Sequence, residues 1–436
     1  MPAQGSAHLT AASRAQTYAR TVTVIATRIQ ALTVETTPLD DVRHILPFTD
    51  ARAPLVWLRK GEGIAGVGEA LRLEFTGADR IAQASAAWKQ LASVCTVNDP
   101  VRMPGTGLVA FGTFAFDDES SATSVLVVPQ VVIGRREGRS WITRIRHSDD
   151  SSMPSAPHPQ PFGAEYRLTM LPGALTREAY KRAVAVAADR IRGGELDKVV
   201  LARDLRAHLP AESDVRRALV ELALGYPQCW TYAVDGMLGS SPETLVRVHR
   251  GTLDARVLAG TSARGRDAAS DHDSATDLLR STKDREEHAV AVRSVVRALA
   301  PHTSTLETSD EPFPLKLPNL WHLATDVSGT LSDGSGSLDL VAALHPTAAV
   351  AGTPTDVALR LIRELEPFDR ERYAGPVGWI GADGDGEWAI ALRGAQVSAS
   401  GDITAYAGCG IMGDSVPERE LAETSMKFRP ITEAFQ

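Results

Sequence analysis

Glu420, Glu423 and Lys427 stand at i, i+3 and i+7, the spacing that puts three side chains on one face of a helix. Asp284, Glu287 and His288 do the same at i, i+3 and i+4. Each group taken alone reads as a solvated, ion-paired helix face. Turned toward each other, the two would offer several carboxylate oxygens to Mg²⁺, which keeps positions for water and substrate oxygens. Ala407-Gly-Cys-Gly-Ile411 precedes the second group, and its glycines let backbone approach a ligand and present N–H groups to an anion. Gly61-Glu-Gly63-Ile-Ala-Gly66 fits GxGxxG literally. A dinucleotide fingerprint also needs a helix opening at the third glycine; here the next residues alternate as a strand, so a hairpin is expected. Asp383-Gly-Asp-Gly-Glu387 lacks the spacing of a calcium loop and reads as a hairpin tip.

Periodicity and punctuation define the elements that must position these groups. Strands are expected over 21–29, 54–60, 69–75, 108–116, 124–133 and 198–205. Those from 54 to 133 are expected to share one sheet. A helix is predicted over 79–94 with Asp79 as N-cap, and another over 176–192 with Thr176 as N-cap and Gly193-Gly194 as its end. A third covers about 275–300, with Leu278, Val292, Val295, Val296 and Leu299 on its apolar face. Residues 373–397 read as a hairpin, and Ser415-Val-Pro-Glu418 as the capping box of a last helix. Residues 147–163, rich in Ser, Pro and Asp, form the best linker. Strands and helices mix without strict alternation, which favours an α+β fold.

Composition bounds the partners. With 46 Lys and Arg against 54 Asp and Glu, the net charge is −8, which argues against a nucleic-acid surface but permits a local basic pocket. Cys95, Cys229 and Cys409 form neither a zinc site nor a disulfide framework, as in a reducing compartment. No apolar run is long enough to span a membrane, and Arg14 and Arg20 interrupt any signal peptide. A cytoplasmic protein is expected.

From about residue 170 to 430 the chain resembles the chorismate-utilising enzymes, the isochorismate, salicylate, anthranilate and aminodeoxychorismate synthases. The segments that carry the likeness include LDKVVLAR (196–203), GSSPETLVRV (239–248), LAGTSARG (258–265), KDREEH (283–288), NLWHLATDVSG (319–329), HPTAAVAGTP (345–354), ERYAGPVGW (371–379), ALRGAQV (391–397) and AGCGIMGDSVPERELAETSMK (407–427). The earlier VWLRKGEGIAGVGEA hairpin is also typical of them. HPTAAVAGTP resembles the isochorismate and salicylate branch, and the details look like an isochorismate synthase of the menaquinone type. Cys409 replaces the more usual Ala, and Leu421 stands where an aromatic is frequent.

The resemblance implies a single large anthranilate synthase component I-like α+β unit, with mixed and antiparallel sheets packed together and helices outside. Residues 1–165 would be built into it beside a catalytic region at 166–436. It implies Lys198 as the base that activates water, where anthranilate synthases usually have Gln, and Glu243 as the general acid. Glu287, Glu420, Glu423 and Asp284 would hold Mg²⁺. Arg393 and Tyr373 would grip a carboxylate, Gly408 and Gly410 would offer backbone donors, and Lys427 would add positive charge. Gly260, Thr261 and His322 would line the site, and His345 would help to shape it. The implied substrate is chorismate, with no nucleic acid, membrane or glutaminase partner, in a monomer or weak homo-oligomer.

Overall fold

The computed structural model describes residues 30–436, so the strand expected over 21–29 lies outside them. The GxGxxG segment is a hairpin. Leu55–Arg59 pairs antiparallel with Glu62–Val67, from Leu55↔Gly66 to Arg59↔Glu62. Lys60 and Gly61 turn it with φ of 55° and 76°, the pair of positive values that suits the twist of a two-residue hairpin.

The described strands form two sheets, one of 13 and one of 10 strands. The early strands do not share one sheet as expected. Leu55–Arg59 and Glu62–Val67 belong to the larger sheet, whereas Leu71–Phe75, Val109–Thr113 and Ser124–Val128 belong to the smaller. The run over 124–133 breaks at Pro129, which has no N–H to give to a ladder, and Val131–Arg136 returns to the larger sheet. Alternation reveals which face of a strand is buried, not which strand lies beside it.

Trp57, Ile64, Trp141 and Trp230 of the larger sheet pack with Phe111, Val127, Val377 and Trp379 of the smaller in one buried cluster between the sheets. Helices cover the outer faces, so strands such as Val109–Thr113 and Trp230–Val234 are buried throughout and lack polar alternation. Residues 30–165 share both sheets with the rest: Leu55–Arg59 pairs with Trp230–Val234, and Val109–Thr113 with Pro376–Gly381. The segment over 147–163 contains no strand or helix beyond its first residue.

Helix ends follow local chemistry, with three corrections. Thr176 caps Arg177–Arg192 by accepting from Ala179 N–H at 3.2 Å, and Gly194 follows it at φ 79°. Asp79 precedes Arg80–Val94 but makes no side-chain cap bond. The helix expected over 275–300 is two, Ala268–Arg280 and Thr282–Leu299, with Ser281 accepting from Asp284 N–H as the cap of the second. The last helix is Pro417–Ala434, and Ser415 is not its cap. Proline pushes the residue before it out of the helical region, so Val416 is extended at ψ 118° and the helix starts on Pro417. Ser415 Oγ instead accepts from Met412 N–H at 3.1 Å. The 383–387 run is a hairpin tip: Asp385 accepts from Arg250 N–H, whereas Glu387 is buried on Trp57, Trp379 and Arg136.

Candidate active site

The chain crosses between the sheets twice at one seam. Pro242 and Glu243 join Met237–Ser241 of the larger sheet to Thr244–His249 of the smaller. Ala391, Leu392 and Arg393 make the reverse crossing, from Gly386–Ile390 to Gly394–Val397. The crossings bond to each other: Ile390 N–H donates to Glu243 O and Ser240 N–H to Arg393 O, both at 3.3 Å. Alongside, Ala374 N–H donates to Ala391 O at 2.9 Å. The seam therefore gathers Glu243, Arg393 and Tyr373, all of which line one cleft.

Arg393 is held from two directions. Its backbone sits at φ 52°, a left-handed conformation that costs an ordinary residue on the order of 1 kcal/mol. Its guanidinium donates to His322 Nε2 at 2.9 Å. His322 faces Thr261 across the ladder between Leu320–Leu331 and Thr252–Ala263, where the register slips at Gly260. Gly260 has φ 80°, and its carbonyl lies 3.1 Å from His322 Nδ1. Burial, then the Arg393 charge, holds His322 well below the usual histidine pKa. The neutral ring thus donates through Nδ1–H to Gly260 and accepts from Arg393 through Nε2.

Glu243 is 5% exposed. Burial pushes its carboxyl up to about 7 against the opposing pull of Arg393 and Lys198. Lys198 begins the Lys198–His208 strand and is fully buried. Its Nζ lies 2.9 Å from Glu287 Oε1 yet makes no well-directed hydrogen bond. Gly410 makes room for this pair, since a Cβ there would sit 2.3 Å from Glu287 Oε1 and 2.8 Å from Lys198 Cε.

The two acidic groups do face each other. Lys283 at the start of the Thr282–Leu299 helix reaches Glu420 on the Pro417–Ala434 helix, Nζ to Oε1 3.3 Å. Lys427 Nζ is 2.6 Å from Glu423 and donates to the Gly408 carbonyl at 3.0 Å. Burial, then Glu423, raises the Glu420 carboxyl; burial raises Asp284, which bonds the Ser281 hydroxyl. Burial opposes ionisation of Glu287, but Lys198, Lys427 and Lys283 outweigh it and hold the carboxyl low. Oxygen donors of this kind suit Mg²⁺ in chemistry. As they stand, each is engaged by an amine or hydroxyl, and among the described residues no three His, Cys, Asp or Glu converge closely enough to hold an ion.

Eleven of the fourteen expected site residues line the cleft: Glu243, Gly260, Thr261, Glu287, His322, Tyr373, Arg393, Gly408, Gly410, Glu423 and Lys427. Lys198, Glu420 and Asp284 do not, but each touches or neighbours a residue that does. His345 does not shape this site. Its Nε2 donates to Phe116 O at 2.9 Å, away from the cleft lining. Arg370 does line it and was not anticipated. It pairs with Glu366 and donates to the carbonyls of Val200 and Val350, pinning the 345–354 segment to the Lys198 strand. The Thr355–Leu365 helix ends before this pair, with Glu366 extended at ψ 119°, so no helical spacing signalled it in the sequence.

Residues 26–436 match the family described as chorismate binding enzyme. The chain belongs to that family. Isochorismate synthase DhbC of Bacillus subtilis is 37% identical over 335 residues, which is 74% of this chain and 79% of that protein. The salicylate biosynthesis isochorismate synthase of Pseudomonas aeruginosa is 32% identical over 433 residues, 93% of this chain and 89% of its own. Among solved structures, MenF, the menaquinone-specific isochorismate synthase from Escherichia coli, superimposes with a TM-score of 0.75 at 26% identity, covering 93% of this chain and 95% of that one. The α+β architecture with its paired sheets is thus that of the chorismate-binding enzymes. No helix of the described residues is long and apolar enough to cross a membrane.

Proposed function

We propose that the protein is an isochorismate synthase, an isomerase that adds water at ring C2 of chorismate as the C4 hydroxyl departs. The observation that carries this reading is a pair of buried groups, Glu243 in the cleft lining and Lys198 just behind Glu287, which also lines it. Lys198 is a buried amine without a directed hydrogen bond, and Glu243 is a buried carboxyl raised to about 7. A base must take a proton from the attacking water, and an acid must give one to the leaving oxygen. Lys198 fits the first role once it has released its own proton, and Glu243, protonated near neutral pH, fits the second. The likeness to isochorismate synthases supports the same assignment.

A dianionic substrate needs two carboxylate grips. Arg393 holds one as a rigid fork already oriented by His322, with the Tyr373 hydroxyl beside it. Glu287, Glu420 and Glu423, with Asp284 behind them, are the oxygen donors that would have to draw together to hold Mg²⁺, whose charge would neutralise and orient the ring carboxylate. Lys427 adds a further positive charge.

Arg393→Lys is expected to raise the KM for chorismate roughly 30- to 100-fold, because lysine cannot bond His322 and a carboxylate as a planar fork. Steady-state kinetics against chorismate checks this; an unchanged KM removes Arg393 from the grip. The reading as a whole is tested by incubating the protein with chorismate and Mg²⁺ and resolving the products. Isochorismate alone is expected. Salicylate with pyruvate, formed without an added lyase, overturns it in favour of a salicylate synthase. Ammonia-dependent amination overturns it in favour of an anthranilate or aminodeoxychorismate synthase subunit.

A further inference from the structure

Gly260 is the extra residue of a β-bulge: Ala259 is opposite Leu323, and Thr261 is opposite the very next residue, His322. A bulge takes its extra residue out of the ladder, so buried carbonyls beside it need partners from elsewhere. Two histidines supply them. His322 Nδ1 lies 3.1 Å from the Gly260 carbonyl, and His288 Nδ1 lies 3.2 Å from the Ala259 carbonyl. A carbonyl only accepts, so Nδ1 carries the proton in both rings.

His288 follows Glu287 on the Thr282–Leu299 helix, yet both of its ring nitrogens are spent on the smaller sheet. Its Nε2 meets the Thr325 hydroxyl at 2.7 Å, which fixes the ring, and the ring in turn fixes the Ala259 carbonyl. His288 and Thr325 are both buried, and neither lines the cleft. From Ala259 the backbone leads directly to Gly260, whose carbonyl holds His322 Nδ1, and His322 Nε2 then accepts from the Arg393 guanidinium at 2.9 Å. The Thr261 hydroxyl is 3.2 Å from the same Nδ1, but a hydroxyl can donate as well as accept and does not by itself select a tautomer. The Gly260 carbonyl does. Were it to turn away, a proton on Nε2 would face the guanidinium donor to donor.

We propose that His288 is a positioning residue for substrate binding. By holding the Ala259 carbonyl it sets the Gly260 carbonyl beside it, and so keeps His322 in the tautomer that accepts from Arg393. The proposal rests on the reading of Arg393 as a carboxylate grip. His288 itself touches neither the substrate nor the reacting atoms.

Two substitutions separate its two hydrogen bonds. Asparagine places an amide N–H where Nδ1 stood and gives up Thr325; glutamine reaches Thr325 and gives up the donor to Ala259. His288→Gln should raise the KM for chorismate about threefold to tenfold, the worth of one buried hydrogen bond, and leave kcat within about twofold of the parent's. His288→Asn should keep the parent's KM. Both should melt below the parent, since each loses one buried bond. A ring that only filled the core would move KM in both variants or in neither. Equal KM values for the two, or a rise confined to His288→Asn, therefore overturn the proposal. Thr325→Val, which keeps the shape and removes the hydroxyl, stands in if His288→Gln does not fold. It loosens the ring without replacing it and should raise KM about twofold to threefold; an unchanged KM overturns the proposal. Arg393→Lys is the control. If it leaves KM unchanged, the grip itself fails and this proposal with it. If it raises KM while His288→Gln does not, only the role of His288 falls.

Discussion

Glu243→Gln is expected to cut turnover by about 10²- to 10⁴-fold while making the folded protein more stable at pH 8. Both effects come from one buried carboxyl, 5% exposed and raised to about 7. Glutamine keeps the shape and loses the transferable proton, so the leaving hydroxyl departs unassisted. For stability the sign is fixed by linkage. The folded state holds its proton more tightly than the unfolded chain, whose carboxyl has its ordinary value of 4.5. This contribution is fully present below the unfolded value and is lost as pH rises through about 7. The span between the two values corresponds to roughly 3 kcal/mol, to order of magnitude. Glutamine carries no such dependence. Thermal melts at pH 5 and pH 8 should show the variant gaining on the parent at the higher pH. The parent's own turnover should fall as pH rises past 7. A variant that keeps near-normal turnover, or one whose relative stability ignores pH, removes Glu243 from the acid's role.

Lys198→Ala is expected to lower turnover by about 10³-fold or more and to leave chorismate binding largely intact. The substrate grips belong to Arg393, Tyr373 and the helix junction, not to this amine. The substitution has a second consequence that a generic core defect would not share. It strips Glu287 of the lysine 2.9 Å away and leaves a carboxylate buried without that partner. Such a charge is costly. A divalent ion would supply the missing countercharge, so Mg²⁺ should restore more thermal stability to the variant than to the parent. Melting curves with and without MgCl₂, with chorismate binding followed by calorimetry, separate the two effects. Near-normal turnover in Lys198→Ala would assign the base elsewhere.

The site was more legible in the sequence than the sheets that hold it. Glu243, Arg393 and Tyr373 lie in contiguous motifs, and their types state their chemistry. Their meeting at one seam depends on crossings between sheets, which no local pattern encodes. The break at Ser281 escaped for a different reason. Leu278 and Val292 are fourteen residues apart, close to four helical turns, so the apolar stripe stays in phase across the interruption. The Ser281-to-Asp284 spacing was the visible signal for a new helix start. The same signature misled at Ser415, where Pro417 forbids Val416 the helical conformation. The lysine–carboxylate pairing was out of reach altogether, because Lys198 and Glu287 share neither an element nor a motif.

The Asp402–Ile411 strand lies between Lys198–His208 and Gly394–Val397 in the larger sheet. In its register Val199 is opposite Ile411. A ribosome therefore finishes one side of that pair 411 − 199 = 212 residues before the other. At about 5–20 residues per second, the interval is roughly 10 to 40 seconds. Throughout it Val199, Val200, Leu201 and Ala202, all buried at the end, lack their final neighbour while still on the nascent chain. Yield during expression should accordingly depend on holdase chaperones and on temperature more than the finished fold suggests. The cleft is a late product of translation, complete only once Lys427 has left the exit tunnel.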